Sequence, residues 1–264
     1  MFVMRKRLAS TRQLKLYILL LGISLVSGCE NWDLPPLQDS VTNGLIAYYA
    51  FSGNTLDGSG NNLRGNTING ASFGPDKNAM PNSALLLDGV DDYFEIPDDG
   101  KLRPATMSIS VWIKPVQVLS SSHIYEKSNF KDDLNHQYSA KIKPHITGDI
   151  SGGYDFQADV HRDNLCDKFE STIQLTAYEP AFKVNQWYHL VIQYDGQTVK
   201  IYLNGVARGQ SESQTKPIDN CPGGSLRFGS AWMGDINAFN GLMDEVRIYN
   251  RGLTETEINA LYQR

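Results

Sequence analysis

The stretch that most constrains this chain runs from Trp187 to Gly205, WYHLVIQYDGQTVKIYLNG. Two runs of strand formers, 187–194 and 199–203, are joined through Asp195-Gly196, and Asn204-Gly205 follows at once. Both dipeptides favour the positive φ of tight hairpin turns, so the stretch reads as a meander of short antiparallel strands. The same pattern recurs. In MSISVWIK, Ile109, Val111 and Ile113 fall on one side of a strand and Ser108, Ser110 and Trp112 on the other. Residues 84–87 and 93–96 flank Asp88-Gly89-Val90-Asp91-Asp92, where the acidic pair Asp91 and Asp92 reads as turn residues satisfying backbone amides. Further strands are expected at 45–51, 225–228 and 239–249, with shorter ones at 123–127, 138–142, 154–160 and 171–178. From 116 to 182 the pattern leaves the topology open. Near the end, Thr254 to Glu257 form a capping box, and Ile258, Leu261 and Tyr262 follow at helical spacing. These elements predict an all-β fold, an antiparallel two-sheet jelly-roll sandwich with a short C-terminal helix.

The first residues are set apart from that fold. Arg5, Lys6, Arg7, Arg12 and Lys15 precede an apolar run from Leu16 to Val26, the charged and apolar regions of an export signal. The run is about half the ~20 residues of a membrane-spanning helix. It closes on Val26-Ser27-Gly28-Cys29, which resembles the bacterial lipobox and makes Cys29 the expected lipidation site. The expected organisation is a signal peptide at 1–28, a polar tether with Pro35-Pro36 at 29–42 and one domain at 43–264. The expected location is the bacterial cell envelope, held to a membrane, the outer one, through the acyl chains at Cys29.

Removal of residues 1–28 takes away five basic residues and no acidic one, moving the formal charge from -5 to -10. Nucleic acid is therefore not an expected partner, because it is recognised through basic patches. Two cysteines, Cys166 and Cys221, remain beside Cys29 and are expected to pair in a compartment that permits disulfides.

Asp244 is the chemical anomaly. In FNGLMDEVRIY, strict alternation puts it on one face with Leu242, Val246 and Ile248, where a carboxylate needs hydrogen bonds, an ion pair or a metal. In the loop after the first strand, Asp57, Ser59 and Asn61 offer side-chain oxygens at alternate positions, a spacing that suits calcium and equally suits plain turn residues. An EF-hand is excluded, since Ile68 stands where its twelfth-position glutamate belongs.

The blocks GLIAYYAFSGNTLDGSGNNLRG, LLLDGVDDYFEIPD, SISVWIKP, QWYHLVIQYDGQTVKIYLNG and GLMDEVRIYNRGLTETEINALY, in order from about Gly44 to Tyr262, resemble the laminin-G-like, concanavalin A-like jelly-roll family of exported bacterial proteins. The stretch from about 120 to 182 departs from that pattern. In the family a structural calcium joins the loop after the first strand to the last strand, and the resemblance implies Asn54, Asp57 and Asp244 as its ligands here. It also implies a non-catalytic module that recognises a glycan or a protein, which the lipobox at Cys29 would make lipid-anchored. Trp232, Tyr154 and Tyr125 are the candidate rings for stacking on a sugar, each equally readable as core packing. A glycoside hydrolase or lyase on the same fold is the competing class, and a purely structural envelope lipoprotein is a third. An enzyme is not expected: the Glu-x-Asp-x-x-Glu spacing of the laminarinase type is absent, as are GxSxG, HExxH, Walker and dinucleotide motifs. The five histidines are scattered through the sequence.

Overall fold

The structure is a computed structural model that describes residues 41–129, 135–147, 150–162, 172–213, 215–231 and 238–264. It bears out the all-β jelly-roll sandwich. Two antiparallel sheets stack over one core, and a short helix, α1 (Glu255–Tyr262), packs on the outside. The first sheet holds eight strands: β1 (Leu45–Tyr49), β3 (Ser72–Gly74), β4 (Ala84–Asp88), β6 (Met107–Gln117), β11 (Tyr188–Tyr194), β12 (Val199–Leu203), β13 (Val206–Gln210) and β15 (Asn240–Tyr249). The second holds seven: β2 (Asn66–Ile68), β5 (Tyr93–Ile96), β7 (Ser122–Asn129), β8 (Asn135–Thr147), β9 (Ile150–His161), β10 (Thr172–Glu179) and β14 (Leu226–Phe228).

The turn chemistry sets the register of the eight-stranded sheet. Asn204 and Gly205 both take positive φ, 50° and 78°, as a two-residue primed turn requires, and Leu203 pairs Val206 across it. Ile109, Val111 and Ile113 then point into the core, together with Leu190, Ile192, Ile201 and Leu203 from the neighbouring strands. Between the sheets, Phe94 meets Tyr49 edge-on at 4.8 Å between ring centroids and Phe51 at 5.1 Å. Phe228, beside Phe94 on the neighbouring strand of the same sheet, lies 5.8 Å from Tyr125.

The open region, 116 to 182, resolves as a meander. β7, β8, β9 and β10 pair in sequence order. Their core side carries Ile124, Tyr138, Ala140, Ile142, Phe156, Ala158, Val160 and Ile173. Small alanines on that side explain the weak alternation in the sequence. The alternate residues face solvent and are almost all polar.

The helix begins at the expected cap. Thr254 Oγ1 accepts from the Glu257 amide at 3.2 Å, and Glu257 Oε2 accepts from the Thr254 amide at 2.8 Å. Ile258 and Leu261 bury against Val191, Tyr202, Tyr249 and Leu253 on the outer face of the eight-stranded sheet, and Val41 joins the same cluster. The domain's packing therefore starts by residue 41, inside the expected tether. Cys29 and Cys166 lie outside the described residues, and Cys221 is fully buried.

One expectation about β15 is corrected. Asp244 pairs with Trp112 and Arg247 with Ser110, so three steps on β15 match two on β6. The extra residue is a β-bulge at Glu245, whose φ is 53°. It breaks the alternation: Val246 and Ile248 face the core, whereas Asp244 shares the outer face with Trp112.

Candidate functional site

A concavity of about 440 Å³ opens on the solvent side of the seven-stranded sheet. Strand register builds it. Glu126 of β7 pairs with Ser139 of β8, Ser139 with Asp159 of β9, and Asp159 with Gln174 of β10, so one row of polar side chains crosses four strands. His123, His136, Lys141, His161 and Thr172 complete the lining.

The charged groups at the cleft are held by neighbours. Nδ1 of His136 lies 2.7 Å from Glu126 Oε1, and Nε2 of His123 lies 3.7 Å from Glu126 Oε2. Burial acts to raise the Glu126 carboxyl, but the two imidazoles hold it below its ordinary value. Asp159 accepts from Gln174 Nε2 at 2.9 Å and from Gln157 Nε2 at 3.0 Å, with Lys141 Nζ 3.4 Å away. Burial pushes this carboxyl up too, and Lys141 and the two amides bring it below the ordinary range. Burial lowers His123. His136 and His161 stack with centroids 5.9 Å apart, and Thr172 Oγ1 lies 3.0 Å from His161 Nδ1. The result is a polar surface whose side-chain directions are fixed by mutual hydrogen bonds, suited to reading a pattern of hydroxyls.

Neither of the two tyrosines singled out in the sequence lines this cleft. Tyr125 is 1 % exposed and packs edge-on against Tyr138 inside the core, so it cannot stack on a ligand. Tyr154 packs against Phe182 at the margin of the core. Trp232 lies outside the described residues. What sequence reasoning missed is the histidine cluster: four of the chain's five histidines, His123, His136, His145 and His161, stand on this one sheet face. No local spacing betrays it, because the residues come from three strands and meet only through register.

The implied calcium ligands lie on the other sheet. Asn54 Oδ1 accepts from the Leu56 amide at 3.0 Å in an exposed turn. Asp57 braces the loop: Oδ1 accepts from the Tyr48 and Ser59 amides at 3.0 and 2.8 Å, and Oδ2 from the Leu63 amide at 2.9 Å. Tyr48 ties that loop to the bulge, its hydroxyl donating to Glu245 Oε1 at 2.7 Å while Arg247 lies over its ring at 4.1 Å. Asp244 itself is 3 % exposed and accepts from the Glu245 amide at 2.7 Å. Burial, with the Glu245 carboxylate next to it, pushes its carboxyl up to about 7. A buried carboxyl among other carboxylates has the donor chemistry of a hard cation site. Among the described residues, the one trio of carboxylate, imidazole or thiol ligand atoms within 4.8 Å of one another is Asp88, Asp91 and Asp92. There Asp92 Oδ1 accepts from the Gly70 amide and Oδ2 from the Asp88 amide, at 2.7 and 3.1 Å, the turn role expected of it.

Comparison with known proteins places this geometry. Domain 4 of AbnA, an extracellular arabinanase of Geobacillus stearothermophilus solved with arabinotriose, superposes with a TM-score of 0.61 at 23 % identity, covering 83 % of this chain and 98 % of that one. The receptor-binding domain of botulinum neurotoxin mosaic serotype C/D gives a TM-score of 0.61 at 16 % identity, covering 85 % of this chain and 51 % of that one. The binding domain of Paraclostridial Mosquitocidal Protein 1 gives 0.60 at 15 %, covering 84 % and 52 %. This chain thus spans about half the length of the two toxin domains. At these identities the likeness is one of fold. No curated protein matches the sequence closely enough to count as a relative. The Laminin_G_3 family model matches residues 88–259, which leaves the first of the resembling blocks outside it, and by that match the chain belongs to the concanavalin A-like lectin/glucanases superfamily.

Proposed function

We propose that the chain is a non-catalytic, lipid-anchored envelope module that binds a glycan in the cleft on the seven-stranded sheet. The observation that carries this reading is the row Glu126–Ser139–Asp159–Gln174, a set of oriented polar groups lining a concavity of about 440 Å³. The arabinotriose bound by the arabinanase domain of the same fold supports a sugar as the ligand class. The carboxyls support a binding role over hydrolysis. A glycosidase needs a general acid with a raised pKa, and both Glu126 and Asp159 are held below their ordinary values by their neighbours. A glycan array probed with the full chain, arabinan oligosaccharides included, tests the reading. A hit lost in Gln174→Ala is expected; a blank array overturns it.

Three further features belong to the same reading. Cys29 carries the acyl chains, and Cys29→Ser is expected to release the chain from membranes. Cys166 pairs with Cys221, whose complete burial suits a half-cystine. A structural calcium sits at the bulge, with Asp244 as its anchor and Asp57 and Asn54 as partners. When bound, the ion supplies the positive charge that this carboxyl lacks. A chelator is then expected to lower the melting temperature, and Asp244→Ala to abolish that response. An identical melting curve with and without chelator removes the ion from the picture.

A further inference from the structure

Beyond the cleft the polar face continues. Along β9, His161, Asp159, Gln157 and Asp155 are alternate residues and so share one side. Each is flanked by register partners: Lys141 and Thr176 beside Gln157, Lys143 and Tyr178 beside Asp155. Hydrogen bonds tie the rows together. Lys143 Nζ donates to Gln157 Oε1 at 3.2 Å, and His145 Nδ1 lies 2.8 Å from Asp155 Oδ1. Gln157 and Asp155 are buried beneath these flanks, forming a floor, while Gln174, Thr176 and Tyr178 of β10 stay exposed along one wall.

The far end differs in kind from the cleft. Tyr178 keeps 42 % of its surface in solvent although its ring centroid lies 3.9 Å from that of His145, and its hydroxyl donates to the Gly152 carbonyl at 3.1 Å. An exposed ring, backed on one side and fixed at its tip, presents a pre-organised apolar surface of the kind sugar rings stack on. From Asp159 to Asp155 the strand advances roughly 13 Å, more than one sugar ring covers.

The charge of the floor narrows the ligand further. Among the described residues of the groove, three carboxylates, Glu126, Asp155 and Asp159, stand against two lysines, Lys141 and Lys143. Lys141 pairs with Asp159, and Lys143 donates to the neutral Gln157 side chain. The carboxylates outnumber the lysines on this floor, so a uronic acid would bring a further negative charge to an acidic surface, whereas an uncharged sugar would not.

We propose that the cleft is one end of a groove along β9 that takes a linear, uncharged glycan of three or more units, with Tyr178 as the stacking platform at the other end. This rests on the glycan-binding reading above. The test is calorimetric titration of the full chain with neutral oligosaccharides of two to five units and with oligogalacturonates of matching length. Affinity for the neutral series is expected to rise through three or four units and to exceed that for the oligogalacturonates at least tenfold. Tyr178→Ala should lose about tenfold on the longer neutral ligands while leaving the disaccharide unchanged, and Tyr178→Phe should behave as wild type. Equal affinity at every length, an equal loss at every length in Tyr178→Ala, or tighter binding of the uronates overturns the groove while leaving glycan binding standing. Failure of the wild-type chain to bind any glycan removes both.

Discussion

Lys127 shows how much one side chain can decide. It is fully buried, yet Nζ donates to Asp98 Oδ1 at 2.7 Å and to the Gly224 carbonyl at 2.6 Å. Asp98 also accepts from the Gly223 amide at 2.8 Å and pairs with Arg103. Burial works to raise this carboxyl, but the bond from Lys127, the Gly223 amide and Arg103 keep it below the usual range. A depressed carboxyl stabilises the fold above its unfolded pKa, and that contribution drains away as pH falls through the folded one. Asp98→Asn is therefore expected to cost about 3–5 kcal/mol at pH 7, because it strands a buried ammonium, and the gap to wild type should close in acid. Urea midpoints at pH 7 and pH 3 check this. Lys127→Met, which removes the buried charge, should cost less than Asp98→Asn. None of this was legible in sequence, where Lys127 stands at the end of a candidate strand like any surface lysine.

At the scale of elements, strands with several apolar residues in strict alternation were readable to within a few positions. β2 and β3 are three residues each, and β13, VARGQ, is largely exposed, so these three carry too little periodic signal to be seen. β15 failed differently. Its alternation is real on both sides of Glu245 and out of phase across it, since one residue with φ of 53° shifts the pleat. That bulge decides which face receives Asp244. Deleting Glu245 is expected to leave Val246 and Ile248 in the core, because removal of the extra residue gives Asp244–Trp112 and Arg247–Ser110 a regular register, so the variant should fold and lose only the contacts to Tyr48 and Arg247. Glu245→Gly relieves the positive φ while losing the contacts to Tyr48 and Arg247, so its melting temperature should stay within a few degrees of wild type. A deletion variant that fails to fold would show that the strand needs the bulge itself.

For the whole molecule, the class of fold followed from turn residues and alternation, while the proposed binding face did not. Its residues are drawn from β7 to β10, the part of the chain whose pattern was least regular, and they gain meaning only when register sets them side by side. The opposite face is closed by α1. Leu261 is 1 % exposed there, and Leu261→Ala is expected to cost about 2–4 kcal/mol by chemical denaturation. An unchanged midpoint would mean that the helix is a passenger on the sheet. Tyr262 extends this cover, stacking on Trp112 at 5.8 Å on the outer face of the sheet.

Val41 enters the domain on that closed side, where the Tyr249 hydroxyl donates to its carbonyl at 3.0 Å. The groove occupies the outer surface of the other sheet. The chain upstream of residue 41 therefore enters the domain at the seam of β15 and α1, on the sheet opposite the proposed groove. With the proposed groove on one sheet and the entering chain on the other, a moored domain would present its groove away from its leash.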